Sequence, residues 1–377
     1  MNRKPVVQTL PSFSGRTLVI SDIHGSLDLY QDLLQKCHYI PGQDRLILLG
    51  DLVEKGEQNL ELVHFLMEQA KTKHVYMTMG NCDFVAKNIL YSYRLDYLRE
   101  VLLARSNSLI HEMIQELGLP PLDSQTDMDV LAATLRKHYL KELAFLNDLP
   151  HVLATPTATF VHSGLIDEQT YAQDFRYIMA NYHFGRQDHH FSKPVVVGHM
   201  PISEYCPTIA CFNPLFNQEK NILFIDGGNQ VKRAGQLNAL IFWNDDFTFE
   251  HLRFESVDDL LRVSVKHTTH PSTPDPFFVT WADGKVDILE DHSKYVLAYS
   301  PALEREIEVD KAFLTQDGDS MRASNFTNYE MPLEKGEIVS VVNLWDDKAQ
   351  IKKNGQLGWT YRSNLDIDPT LVSFDLR

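Results

Sequence analysis

Apolar and polar positions fall into distinct textures along this chain. Six short apolar runs stop abruptly on Asp, Asn, His or Gly. Thr17–Ile20 stops at Ser21-Asp22-Ile23-His24-Gly25, Leu46–Leu49 at Gly50-Asp51, and Val75–Met79 at Gly80-Asn81. Thr159–Val161 stops at His162-Ser163-Gly164, Val195–Val197 at Gly198-His199, and Ile222–Ile225 at Asp226-Gly227-Gly228. Short apolar runs bounded by glycine read as buried strands. Between the early runs the spacing turns helical, at Leu29, Leu33 and Leu34, then at Leu60, Val63, Phe65, Leu66 and Ala70. That β-α-β-α-β order predicts parallel strands with right-handed crossovers. Helical spacing then persists from Val85 to Leu146, broken at Pro120-Pro121, and predicts a helical insertion over about 85–146.

A third texture begins after Thr268–Pro276, where Pro and small polar residues have linker chemistry. Beyond it, short β-like stretches such as Phe278–Trp281, Tyr295–Tyr299 and Ile338–Val342 alternate with Gly, Asp and Asn turns. They predict a small barrel or sandwich. The expected organisation is an α/β catalytic domain over 1–265, a linker over 266–277 and a β-rich domain over 278–377.

Bulk properties narrow the partners. The 377 residues suffice for two domains, and 44% hydrophobic content supports a packed core. A net charge of −16 argues against nucleic acid or an anionic membrane as partner. An anionic substrate then needs a local reversal of field, which bound dications supply. Cys37, Cys82, Cys206 and Cys211 have no disulfide spacing, so a reducing, cytoplasmic setting is expected. Met1–Ser14 has no apolar stretch of a leader type, and no run approaches the roughly 20 apolar residues of a membrane span.

The chemistry lies in what the strands stop on. Ligands in open α/β sheets bind beyond the carboxyl ends of the strands. The first five ends carry Asp22, His24, Asp51, Asn81, His162 and His199, a set of hard O and N donors. Asp22 and His24 are two apart, and on an extended segment both would face the same way. A carboxylate such as Asp51 can bridge two ions. Two cations roughly 3.5–4 Å apart can hold a hydroxide and clamp a phosphoryl group for in-line attack.

As an ordered set, Asp22-Ile23-His24-Gly25, Gly50-Asp51-Leu52-Val53-Glu54-Lys55-Gly56, Gly80-Asn81-Cys82-Asp83, Val161-His162-Ser163-Gly164-Leu165 and Gly198-His199-Met200-Pro201 resemble the signature blocks of calcineurin-like metallophosphoesterases. Leu143–Pro150, Ile225–Gly228 and Gln236–Leu240 also look like the branch holding serine/threonine phosphoprotein phosphatases and diadenosine tetraphosphatases. The resemblance covers residues 15 to 245 and implies a four-layer αββα sandwich. It places Asp22, His24 and Asp51 at one metal and Asp51, Asn81, His162 and His199 at the other. Manganese is favoured, with iron or zinc as alternatives.

The chain departs from that pattern. Glu54-Lys55 stands where the family usually has Asp-Arg, so the phosphate contact keeps its charge and loses its planar fork. Cys82 stands where the family has the His that protonates the leaving oxygen, and Glu54 replaces the Asp that orients that His. Nearby cations are expected to lower the thiol pKa. A thiolate is a poor proton donor and a soft ligand that could touch a metal. Asp83, His183, His189 and His190 are candidate substitutes, and Arg186 is a candidate second phosphate contact. The catalytic group on this reading is Asp51, Asn81, Cys82 and Glu54, with Lys55 and Arg186 on substrate. Residues 320–370 resemble a bacterial SH3-like module ending in a Gly358-Trp359 turn, with a peptide or protein as possible ligand.

Three functions compete. The first is hydrolysis of phosphate monoesters, on a phosphorylated protein or a nucleotide. The second is a nucleotide pyrophosphatase or phosphodiesterase, such as a dinucleoside polyphosphate hydrolase. The third is a metal-binding scaffold with little turnover.

Overall fold

The computed structural model describes residues 3–345, 347–368, 370 and 371. Residues 1–2 and 372–377, at the outer ends of the two expected domains, lie outside the described residues, as do 346 and 369. The chain divides into two compact units. One comprises Met1–Pro201 and Pro214–Asp258, and the other Ile202–Asn213 and Asp259–Arg377.

The first unit holds two sheets. One contains β2 (Arg16–Ile20), β3 (Arg45–Leu48), β4 (Val75–Met77), β10 (Leu237–Trp243) and β11 (Arg253–Val257), in the order β11-β10-β2-β3-β4. The expected crossovers are present: α1 (Leu27–Lys36) joins β2 to β3, α2 (Asn59–Gln69) joins β3 to β4, and both pairs are parallel. The other sheet contains β1 (Val7–Thr9), β5 (Val152–Ala154), β6 (Thr159–Val161), β7 (Val195–Val197), β8 (Leu215–Asn217) and β9 (Ile222–Phe224), in the order β1-β5-β6-β7-β9-β8.

Side-chain alternation sorts the core into layers. Leu18, Ile20, Leu46 and Leu48 pack against the helices, while Val19, Ile47 and Leu49 face Leu153, Phe160, Val196 and Leu223 of the other sheet. The result is a helical layer on two stacked sheets. The other face of the β6-β7-β9 sheet is also buried, at Val161, Val195, Val197, Ile222 and Phe224. The helical insertion consists of α3 (Val85–Tyr91), α4 (Leu95–Leu103), α5 (Leu109–Glu116), α6 (Met128–His138) and α7 (Leu140–Asn147). A short α8 (Phe175–Met179) follows β6. No described helix is long and apolar enough to cross a membrane.

The second unit is β-rich. Leu261–Ser264, Ile338–Leu344, Lys348–Lys353 and Gln356–Tyr361 form an antiparallel sheet in that order. A second sheet spans Lys285–Asp291 to Ser320–Ala323. Gly358 and Trp359 lie inside a strand, not at the expected turn. The Trp359 indole donates to the Thr327 carbonyl at 2.7 Å, meets Phe313 edge-on and lies tilted against Trp345.

Candidate metal centre

The strands end one to four residues before the donors, and the chain turns sharply between. Asp22, His24, Asp51, Glu54, Lys55 and His199 all have positive φ, between 47° and 80°. This left-handed backbone is costly outside glycine, about 1–3 kcal/mol per residue, and clusters where function requires it. Asp22 and His24 therefore converge through left-handed turns rather than through the strand alternation expected from sequence. The turns are laced together: Asp22 N–H donates to Gly50 O (3.1 Å), His24 N–H to Asp51 O (3.0 Å) and Gly198 N–H to His162 O (2.8 Å). Glycines permit the close approach. A Cβ on Gly198 would stand 2.2 Å from Asp22 Oδ2, and one on Gly80 would stand 2.2 Å from the Asp51 nitrogen.

The donor atoms converge as lone pairs. The Leu49 carbonyl can only accept, so its 2.7 Å contact fixes the proton of His162 on Nδ1. That leaves the Nε2 lone pair facing Asn81 Oδ1 at 3.2 Å and Asp51 Oδ1 at 3.3 Å. The same end of the Asn81 amide is 2.8 Å from His199 Nδ1. Turning the amide over would give the two imidazoles a donor. With the oxygen inward, acceptors face acceptors, the arrangement a cation resolves. His24 Nδ1 is 3.5 Å from Val53 O, and its Nε2 lies 3.9 Å from Asp22 Oδ1 and 3.8 Å from Asp51 Oδ2. Two ligand groups result, His24–Asp51–Cys82 and Asp51–His162–His199, with Asp51 in both. Asp22 Oδ1 and His199 Nε2 are buried without a hydrogen-bond partner. Shared carboxylate, orphaned oxygen and the fixed His162 tautomer fit a pair of divalent ions.

The field tells the same story. Asp22, Asp51, Glu54, Asp83 and Asp226 are each at most 2% exposed. Burial and the Asp51 charge push Asp22 up to about 8, and the same two causes push Asp83 up to about 7. Burial likewise raises Glu54 to about 7, despite Arg105, and raises Asp226 well above the carboxylate range. Burial lowers His24 and His199 to about 3, which keeps both neutral and able to ligate. Burial opposes ionisation of Asp51 as well, but His162, His24 and Lys55 together hold it below its ordinary range. Carboxyls this crowded and dehydrated are short of positive charge.

The remaining predicted residues divide. Lys55 reaches the centre, with Nζ 3.1 Å from His24 Nε2. Glu54 is bound by Arg105 and accepts from Leu109 N–H at 3.2 Å. Cys82 N–H donates to Asp51 Oδ1 at 2.8 Å. Burial and Asp51 raise its thiol well above the ordinary value, opposite to the expected lowering. Asp83 accepts from the N–H groups of Leu52, Val53 and Gly80, a structural role that leaves it no freedom to donate. His189 engages Gln187, and His190 engages Asp188 and the Glu219 carbonyl. His183 is exposed, and Arg186 is exposed on the short turn Phe184–Arg186. Sequence reasoning missed Arg105, which carries no local signal inside an amphipathic insertion. It also missed Tyr182, whose exposed ring lies 4.6 Å from that of His199. Asp226 ends the sixth apolar run, and that position was its signal.

A family model described as calcineurin-like phosphoesterase matches residues 15–208, more than half the chain. A symmetrical bis(5'-nucleosyl)-tetraphosphatase of Pseudomonas fluorescens (strain Pf0-1) is 33% identical over 121 residues, which is 31% of this chain and 41% of that protein. Its counterpart in Pseudomonas syringae pv. syringae (strain B728a) is 30% identical over 156 residues, 40% of this chain and 50% of that one. The chain thus spans half or less of the length of these relatives. Among solved structures, a protein provisionally named diadenosine tetraphosphatase is similar at TM-score 0.40 and 19% identity, over 67% of this chain and 97% of that one. A Saccharomyces cerevisiae serine/threonine phosphatase is similar at TM-score 0.41 and 12% identity, over 71% and 86%. On the family match, the chain belongs to the calcineurin-like phosphoesterases.

Proposed function

We propose that this phosphoesterase cleaves a phosphoanhydride bond of a nucleoside polyphosphate, with dinucleoside polyphosphates as the substrate class. The carrying observation is Cys82. An alkoxide leaving group needs a proton as the P–O bond breaks, and general-acid help of that kind is worth about 10²–10⁴ in rate. Here the position holds a buried thiol beside Asp51, and the acid that would orient an imidazole is occupied by Arg105. A nucleotide phosphate leaves without that help. The names of the relatives support the same class. This reading favours the nucleotide alternative over the phosphate monoesters first expected.

Asp22, His24 and Asp51 would hold one divalent ion, and Asp51, Asn81, His162 and His199 the other. When bound, such a pair supplies Lewis-acid charge and an activated water. Lys55 and Arg105 offset the charge of the phosphate oxygens, Lys55 as a point charge and Arg105 from its place on Glu54. Tyr182, 48% exposed beside His199, offers an aromatic face on which a base can stack.

The test is a leaving-group series at fixed metal loading. A dinucleoside tetraphosphate and an aryl phosphate should turn over at least about 10²-fold faster than a phosphoserine peptide. Equal rates would sink the reading. Absence of any metal-dependent turnover would favour the scaffold. A cytoplasmic location, manganese at the position of Asn81, His162 and His199, and a peptide ligand for the C-terminal unit remain proposals alongside it.

A further inference from the structure

Free cysteines are usually small buried hydrophobes. Cys82 has different company. Its Sγ, a His24 ring nitrogen and an Asp51 carboxylate oxygen lie within 4.8 Å of one another, and all three residues are buried. The sulfur groups with His24 at the first ion position, and it also accepts from the Asn81 amide at 3.6 Å. A positive charge already occupies that side: the Lys55 ammonium is 3.1 Å from His24 Nε2. The ammonium marks where a cation is stabilised, with the sulfur as part of the wall.

We propose that Cys82 is a thiolate ligand of the divalent ion held by Asp22, His24 and Asp51, and that it biases this position toward thiophilic ions. The proposal rests on the two-ion reading of the centre and deepens it. Sulfur ligation favours zinc, iron or cobalt over manganese or magnesium. On binding, the thiol gives its proton to solvent, and the Lys55 ammonium withdraws from His24, because a dication and an ammonium repel at that range. Lys55 is then free to meet substrate phosphate. A sulfur bound in this way has no proton for a leaving group, which agrees with cleavage of an anhydride.

The test uses the full chain, stripped of metal and loaded with Co²⁺ alone. The wild type should show an intense near-ultraviolet sulfur-to-cobalt charge-transfer band beside the weak visible bands of the ion. Cys82→Ser should bind cobalt without that band. Its zinc affinity should fall about 10–100-fold while manganese affinity changes less, by analogy with the cost of removing a supporting partner. Bound cobalt with no sulfur band in the wild type would overturn the proposal and leave the two-ion centre standing. A band that survives in Cys82→Ser would assign the sulfur to Cys37, Cys206 or Cys211 and overturn it equally. If equilibrium dialysis finds no bound cobalt, the two-ion reading fails and this proposal with it. Should Cys82→Ser not fold, a chain carrying Cys37→Ala, Cys206→Ala and Cys211→Ala decides: a band that persists assigns the sulfur to Cys82, and a band that is lost overturns the proposal.

Discussion

At the scale of single residues, the departures from the family pattern form one compensated substitution. Glu54 has no exposed surface, and its charge is tolerable only because Arg105 and the Leu109 N–H meet it. Arg105→Ala should therefore destabilise the fold by about 3–5 kcal/mol, the range for orphaning a buried charge. Adding Glu54→Gln should restore part of that stability without restoring turnover of the anhydride. Thermal melts and kcat on both variants check this; full activity in Arg105→Ala would remove the guanidinium from the substrate site. The titrating groups give a second expectation. Asp22, Asp83 and Glu54 have folded pKa values of about 8, 7 and 7, above their ordinary 3.8, 3.8 and 4.5. A raised acid contributes stability that is complete below its unfolded pKa and lost as pH rises through the folded one. His24 and His199, lowered from 6.5 to about 3, act in the opposite sense, and their effect is complete above pH 6.5. Asp51, lowered below 3.8, has also finished titrating by then. Of these groups, only the raised carboxyls change between pH 6.5 and 8. The metal-free protein should lose a few kcal/mol across that window, and divalent ions, which replace the protons, should abolish the loss. Denaturation of stripped and loaded protein at the two ends of the window reads it directly.

At the scale of elements, the centre is a property of turns, and the strands only aim them. Gly198 shows how little room the turns have, since a Cβ there would overlap Asp22 Oδ2. Gly198→Ala should keep the fold but displace Asp22, lowering affinity for the first ion by about 10–100-fold, as for lost supporting contacts. Calorimetric titration with Mn²⁺ would show it, and unchanged affinity would mean that Asp22 is not a ligand. This also explains what was legible beforehand. The apolar runs marked β2, β3, β4, β6, β7 and β9 because buried strands leave a run of apolar residues that any reader of sequence can find. The donors were legible because they follow those runs at once. The left-handed φ of Asp22 and His24 was not: Asp and His visit that region more than most residues, but long-range contacts such as Gly198 against Asp22 set it here, and local sequence does not carry them. Arg105 was hidden for a related reason. It follows α4 by two residues, and its partner lies 51 residues earlier in the chain.

At the scale of the whole molecule, connectivity ties the centre to the C-terminal unit. Three residues after His199 the chain enters that unit and stays in it from Ile202 to Asn213. There the Glu204 carboxylate accepts from the N–H groups of Trp281 and Ala282 at 3.2 and 3.0 Å. Phe278 N–H donates to Pro207 O (2.7 Å), Leu357 N–H to Ala210 O (3.0 Å) and Phe212 N–H to Gly355 O (2.9 Å). Ile202 and Phe212 are each 1% exposed. A fragment ending at Asp258 would strand this segment and remove the Trp281 and Ala282 N–H groups from Glu204. Exposing Ile202 and Phe212 would cost about 1.5–3 kcal/mol apiece. The stranded segment lies between His199 and β8, so its disorder would reach a candidate ligand directly. We therefore expect residues 1–258 to be aggregation-prone and to bind the second ion more weakly than the full chain. Co-expression of residues 259–377 as a separate chain should restore solubility and metal content, because the lost contacts are non-covalent. Metal analysis and sedimentation of the fragment, alone and with its complement, test this. A fragment that stays monomeric, loads two ions and hydrolyses a dinucleoside tetraphosphate at the full-length rate would show that Ile202–Asn213 does not need the rest of its unit.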